Sequence, residues 1–266
     1  MDQQFRWQLL LVLIVISSCS SPSTPPAPKT SKVSLSVTDL PKSIETHPVA
    51  LVYRGPAGCQ GCSEAAAELL RSSKWGFDVQ YVGPNERLQI SDTTLKMATL
   101  YVQPGGNGTV EEAFAAMRGN TDTIRKFVKS GGRYLGLCMG GYLAGSDPGF
   151  NLLQGDTDEF TTSRGASVTN KADTIVKVNW RNRPRYMYFQ DGPYFILHRG
   201  AKDVSVLATY TNGEIAVMVA PYGKGKVGVS GPHPEATTAW YDEYKLVNPD
   251  GVDAGLGHDL IDTLMQ

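Results

Sequence analysis

Arg133-Tyr134-Leu135-Gly136-Leu137-Cys138-Met139-Gly140-Gly141 runs from an apolar stretch into a cysteine set among small residues. A buried strand that ends in such a turn, with a small-residue helix start behind it, holds a side chain up at the end of a parallel sheet. The glycines permit a sharp strand-to-helix turn that residues with a Cβ resist. The helix that follows is expected to aim free N–H groups and its positive end at the sulfur, favouring thiolate. His233 lies 95 residues further on, in Gly231-Pro232-His233-Pro234-Glu235, and also follows a strand-like run, Val227-Gly228-Val229-Ser230. His233 is therefore a candidate base for Cys138, and Glu235 a candidate to orient it. A glycine-flanked cysteine by itself is more often a packed core residue. The second motif at a second strand end tips the reading towards chemistry.

Outward from Cys138 the chain alternates strand and helix. Val49 to Tyr53, Phe77 to Val82, Met97 to Val102 and Tyr134 to Leu137 read as strands. Between them lie helical segments at Ser63 to Ser72, with Ser63 as N-cap, and at Ala113 to Met117 behind the capping-box pattern Thr109-x-x-Glu112. A third helix, Thr121 to Lys129, stops at Gly131-Gly132. This alternation predicts an α/β fold, a three-layer α/β/α sandwich on a flavodoxin-like, mostly parallel sheet. Beyond Asp147 short strands follow one another, with Thr211-Asn212-Gly213 as a hairpin signal. The C-terminal half is thus expected to extend the sheet with antiparallel strands, finishing with Val227 to Ser230, before a helix over His258 to Met265. Gly149 to Asn170 shows no periodicity and reads as surface loop.

The N-terminus reads as a targeting segment. Leu9 to Ile16 is an eight-residue apolar run, too short to span a bilayer and about right for a signal-peptide core. It ends in Ile16-Ser17-Ser18-Cys19, similar to a bacterial lipobox, so residues 1–19 are read as a signal peptide and Cys19 as the candidate lipidated residue. Plain secretion is the alternative. Residues 20–46, rich in Ser and Pro, cannot bury apolar surface and read as a tether, with a short alternating stretch at Val33 to Val37. Residues 47–266 are left for the folded domain. These signals place the protein outside the cytoplasm, lipid-anchored to the bacterial cell envelope.

Of the four cysteines, Cys59 and Cys62 form a C-x-x-C pair. In an exported protein that pair is expected to be a disulfide on a loop, with catalytic redox use as the alternative. A zinc site would need two more ligands, and no metal is expected. His47, His198 and His258 are scattered, and Asp156, Asp158 and Glu159 lack the spacing of a calcium loop. A net charge of −1 and a pI near 6.4 give no reason to expect nucleic acid as a partner, and no cofactor is expected.

Gly-x-Cys-x-Gly followed by His-Pro-Glu resembles the class I glutamine amidotransferase-like superfamily. More narrowly, the chain is similar to the N-terminal domain family of biotin–protein ligases, which also occurs in stand-alone exported form. The matching pieces are Val52 to Pro56, Gln103 to Gly106, Gly136 to Gly141, Tyr188 to Pro193, and Tyr222 to Lys226 through Glu235. Ligands bind at the carboxyl ends of the strands in open parallel sheets, so Gln103-Pro104-Gly105-Gly106-Asn107 is expected beside Cys138. The paired glycines let a backbone N–H face a reacting carbonyl, and the resemblance implies an oxyanion hole from Gly106 and Met139. Gly105, Asn107 and Arg54 are weaker substrate-binding candidates. No synthetase domain and no Gly-Arg-Gly-type biotin loop is read in this chain, so biotinylation is not expected.

Two functions follow. The first is a cysteine-dependent hydrolase or acyl transferase acting on a small-molecule or peptide amide. The second is a ligand-binding or regulatory module that keeps the pocket without turnover.

Overall fold

The computed structural model describes residues 47–252 and 254–266. The signal peptide, Cys19, the tether and the Val33–Val37 stretch lie outside the described residues. The elements in order are β1 (Val49–Tyr53), α1 (Cys62–Ser72), β2 (Asp78–Val82), α2 (Asp92–Leu95), β3 (Leu100–Gln103), α3 (Val110–Met117), α4 (Thr121–Lys129), β4 (Arg133–Leu137) and α5 (Met139–Leu143). The second half contributes β5 (Gly155–Glu159), β6 (Thr174–Trp180), β7 (Arg183–Phe189), β8 (Pro193–Leu197), β9 (Ser205–Tyr210), β10 (Ile215–Tyr222), β11 (Gly225–Ser230), α6 (Thr238–Glu243) and α7 (Gly255–Met265).

One sheet runs β2-β1-β3-β4-β11-β10-β9-β6-β7, with β8 and β5 attached through β10. Its first five strands are parallel. From β11 to β7 the neighbours are antiparallel. The apolar sequences of β1 and β4 fit this arrangement, because a parallel strand covered by helices is buried on both faces. Side chains of α1 and α7 pack on one face of the sheet, with Leu70, Leu260 and Leu264 fully inside. Met117, Ile124 and Val128 of α3 and α4 cover the other face, with Leu143 of α5. The α/β/α sandwich with its antiparallel extension is therefore the observed fold.

Three expectations change. Val227–Ser230 does not simply close an antiparallel half: β11 pairs antiparallel with β10 and parallel with β4, with Ser230 opposite Leu137. Helix α1 begins at Cys62 behind Gly61, whose φ of 81° needs glycine, and Ser63 is no cap because its Oγ donates to the Tyr53 carbonyl at 2.8 Å. Gly149 to Asn170 is not a surface loop. It contains β5, paired with β8, and its Phe150, Leu152 and Phe160 are fully buried. The polar strand Gly155-Asp156-Thr157-Asp158-Glu159 carries almost no β-propensity, which hid it.

Close backbone approach fixes the turn after β4. A Cβ at Gly140 would stand 2.0 Å from the Gln103 carbonyl oxygen, and one at Gly136 would stand 2.2 Å from the Gly140 carbonyl oxygen. The buried Tyr134 hydroxyl donates to that Gly140 carbonyl at 2.7 Å. Neither contact can yield without moving backbone. Gly140→Ala is expected to destabilise the protein by about 1–3 kcal/mol or more, as overpacking does, and to push the 103–106 loop away from Cys138. Urea unfolding of the purified variant measures this; an unchanged midpoint would show that the turn is looser than these distances require.

Candidate active site

Cys138 is the first residue past β4. Its backbone sits at φ 48° and ψ −104°, a region that a residue with a side chain occupies only where surrounding contacts enforce it. Those contacts are visible: its N–H donates to the Ser230 carbonyl at 2.8 Å, and the Gly140 turn packs against Gln103. The thiol is 5% exposed and lies 3.4 Å from the Gln190 carbonyl oxygen. Helix α5 behind it has only five residues, so the macrodipole expected to act on the sulfur is short. The local charge comes from His233.

His233 follows β11 through Gly231-Pro232. Its N–H donates to the Tyr188 carbonyl at 2.9 Å, in an isolated bridge with β7. The ring stands edge-on to Tyr188 and to Trp240, with centroids 5.8 and 5.4 Å away. Nδ1 is 2.8 Å from Glu235 Oε1, which leaves Nε2 as the ring nitrogen not engaged by Glu235. His233 and Glu235 are 5% and 4% exposed. Burial opposes charge on the imidazole, but the Glu235 carboxylate and Cys138 outweigh it and hold the His233 pKa well above its ordinary value. The structure thus sets Cys138 and His233 past the ends of two paired strands, with Glu235 hydrogen-bonded to the imidazole.

The glycine loop joins them. Gln103, with no exposed surface, accepts from the Tyr101 hydroxyl at 2.7 Å and donates to the Ala57 carbonyl at 3.3 Å. A Cβ at Gly105 would meet the His233 ring at 3.0 Å and Cys62 Sγ at 3.2 Å. A Cβ at Gly106 would meet the Met139 side chain at 2.9 Å. Gly105, Gly106 and Met139 therefore sit beside Cys138 and His233, and Asn107 lies at the exposed edge. Cys59 and Cys62 adjoin this loop with Cα atoms 5.3 Å apart, within the span of a disulfide, and the Cys59 N–H donates to the Gly105 carbonyl at 3.0 Å.

Arg54 is placed differently from the expectation. Its Nε and Nη2 bind Glu86 at 2.7 and 3.0 Å, Nη1 binds Glu64 at 3.0 Å, and the guanidinium lies over the Tyr81 ring. Two carboxylates engage it, so in this structure it braces the β1 and β2 ends. Among the described residues no group of three or more His, Cys, Asp or Glu is arranged to hold a metal ion.

Two cavities open here, one at Cys138 and one at His233. One, of about 600 Å³, is lined by Cys138, Met139, Tyr142 and several carboxylates. The other, of about 510 Å³, is lined by His233, Cys62, Tyr188, Trp240 and Tyr244. Gly106, Asn107 and Gln190 border both, making one groove. The Gln190 carbonyl, Tyr188 and Trp240 were not identified as site residues from the sequence. A backbone acceptor leaves no signature in residue type, and aromatic residues there read equally well as core. Only the Tyr188-Phe189-Gln190-Asp191-Gly192-Pro193 motif pointed to the segment.

The family model described as "Biotin-protein ligase, N terminal" matches residues 49–164 and 158–254. A biotin–protein ligase of Schizosaccharomyces pombe (strain 972) is 29% identical over 136 residues, which cover 42% of this chain and 22% of that protein. The match thus spans about a fifth of that relative's length. A glutamine amidotransferase of Methylobacillus flagellatus superposes with a TM-score of 0.51 at 13% identity, over 74% of each chain. A proposed GMP synthase subunit from Thermoplasma acidophilum gives a TM-score of 0.52 at 13% identity, over 83% of this chain and 94% of its own. At these identities the structural likeness concerns the fold.

The second carboxylate oxygen of Glu235, Oε2, is buried without a protein partner, so His233 carries the burden of holding that charge. Removing the ring by His233→Ala is expected to cost about 3–5 kcal/mol, the usual penalty for orphaning a buried charge, and adding Glu235→Gln should restore a good part of it. Because the folded His233 pKa exceeds its unfolded value of 6.5, the pair's stabilisation is full below pH 6.5 and is lost as pH rises through the folded value. Urea midpoints across pH test both statements. Equal losses in the single and double variants, or an identical alkaline slope in Glu235→Gln, would contradict them.

Proposed function

The chain belongs to the biotin–protein ligase N-terminal domain family, and on that premise we propose that it is an exported, lipid-anchored domain with a Cys138–His233–Glu235 triad that cleaves or transfers the acyl group of an amide or related carbonyl substrate. The observation that supports this reading is the buried His233–Glu235 pair, joined at 2.8 Å, past the end of the strand that pairs with the one leading into Cys138. A structural cysteine has no use for a buried imidazole backed by a carboxylate.

The reaction runs in two halves. The thiol proton passes to His233 Nε2, and Cys138 Sγ attacks the carbonyl carbon. The carbonyl electron pair moves onto oxygen, where the N–H groups of Gly106 and Met139 are the donors. Collapse expels the amine, which takes its proton from His233, and leaves a thioester on Cys138. Water, giving a proton to His233, or a second amine then releases the acyl group and restores the thiol. Glu235 keeps Nδ1–H in place throughout. Biotin transfer is not part of the proposal, since the family match concerns the N-terminal part of those ligases.

Export accords with the other cysteines. A bridge between Cys59 and Cys62 suits an oxidising compartment and would tie down the loop that carries Gly105. A lipid on Cys19 would supply the membrane anchor.

Hydrolysis of a library of chromogenic amides and esters, together with iodoacetamide alkylation of Cys138 across pH, tests the chemistry. Cys138→Ser is expected to abolish turnover and His233→Ala to lower it about 10²-fold or more. Slow alkylation that is indifferent to His233 would leave the non-catalytic binding module. Metabolic labelling with an alkynyl fatty acid in a bacterial host tests the anchor: label is expected on the wild type and lost in Cys19→Ser. Equal labelling of both would remove the anchor from the proposal.

A further inference from the structure

The groove has two unlike ends, and the end beside His233 is walled by aromatic rings. Tyr188, Trp240 and Tyr244 face it, and Tyr188 meets the other two rings edge-on, with centroids 5.4 and 6.4 Å away. Asp173 and Glu243 line the same cavity. Asp173 accepts the Tyr188 hydroxyl, and neither carboxylate has a lysine or arginine partner among the described residues. A packed aromatic cluster of the core would be closed, whereas Tyr244 is 47% exposed and Glu243 stands in solvent.

We propose that this aromatic, anionic cavity is a subsite for a cationic group of the substrate, an alkylammonium or guanidinium carried close to the scissile carbonyl. The assignment rests on Cys138 being the nucleophile of the site. Aromatic faces attract a cation through their quadrupoles, most strongly where the cation is partly desolvated, and unpaired carboxylates at the rim add charge attraction. Trp240 touches the His233 ring, so a cation held against the open Trp240 and Tyr244 side of the cavity stands close to His233. The Tyr244 hydroxyl has a raised pKa, caused first by Asp173 and then by Glu243, so negative potential reaches the mouth.

The other end of the groove does not offset this. Glu111, Asp147, Asp158, Glu159 and Asp191 line it, and its single lysine, Lys171, is held by Glu159 and Asp191 at 3.0 Å each. A chain with a net charge of only −1 thus concentrates acidity around one cysteine. An anionic or wholly neutral substrate would gain nothing from this placement.

Three methanethiosulfonates of similar size but different charge test the subsite: the trimethylammonioethyl, 3,3-dimethylbutyl and sulfonatoethyl reagents. Each converts a thiolate to a mixed disulfide and releases methanesulfinate. Rates at Cys138, followed by mass spectrometry without reductant on the full chain, are divided by the rates with 2-mercaptoethanol. The cationic reagent is expected to exceed the neutral one by about tenfold and the anionic one to fall below it. The cationic-to-neutral ratio should drop about fivefold in Asp173→Asn/Glu243→Gln and also in Trp240→Ala. Asp158→Asn, at the opposite end, should keep the ratio within about twofold. A ratio near one in the wild type, or a loss in Asp158→Asn equal to that in the Asp173/Glu243 variant, would overturn the subsite. A neutral reagent that reacts no faster than with 2-mercaptoethanol would instead count against Cys138 as an activated nucleophile.

Discussion

The Cys138 N–H donates to the Ser230 carbonyl across the parallel ladder of β4 and β11, and the geometry of the site descends from that pairing. The ladder sets Leu137 opposite Ser230, so the residue after one strand and the turn after the other leave the sheet side by side. Cys138 and His233 are 95 residues apart in the chain, and only inter-strand hydrogen bonds bring them together. A shift of the ladder by one residue would turn every side chain of β11 to the opposite face. Leu260 and Leu264 of α7 lie against Gly228 on one face, so burial holds the register that the chemistry needs.

The antiparallel half finishes what the parallel half begins. The Tyr188 carbonyl at the end of β7 accepts the His233 N–H, the Tyr188 N–H donates to the Tyr241 hydroxyl at 3.0 Å, and Asn248 donates to that hydroxyl at 3.2 Å. His233 is thus held from behind by a chain of hydrogen bonds ending in the segment after α6. The next residues of the β7–β8 turn reach Cys138, through the Gln190 carbonyl beside the sulfur. The extension of the sheet thus holds both Cys138 and His233.

Much of this was legible in the sequence because backbone requirements leave marks. The glycines around Cys138 are there because carbonyl groups stand about one bond length too close for a Cβ, and that pattern reads directly. The alternation of apolar strands with capped helices reads equally well, down to the Thr109–Glu112 capping box, which forms in full. What escaped reading was polar or tertiary. The acidic strand β5 is kept in place by β8 rather than by propensity. Gln103 is polar yet fully inside, because the Tyr101 hydroxyl and the Ala57 carbonyl satisfy it. Arg54 stands where a rim arginine was expected, but Glu64 and Glu86 come from α1 and the segment after β2, whose approach cannot be counted from spacing.

An acidic groove is an awkward place for a reaction that builds negative charge. Thiolate and tetrahedral oxyanion would both feel the carboxylates that line the two cavities, and exposed charges lose force within about 10 Å in ordinary salt. His233 is more than nine-tenths buried, where screening is weakest, and Cys138 is among the groups that raise its pKa. A protonated imidazole held by a buried carboxylate therefore governs the sulfur locally, while the outer carboxylates act on whatever approaches through solvent. The two layers of charge can then serve different ends: the inner pair supports bond making, and the outer ring selects what arrives. A cationic substrate would reconcile them, since it neutralises the outer ring when it binds and leaves the inner imidazole as the dominant charge beside the nucleophile.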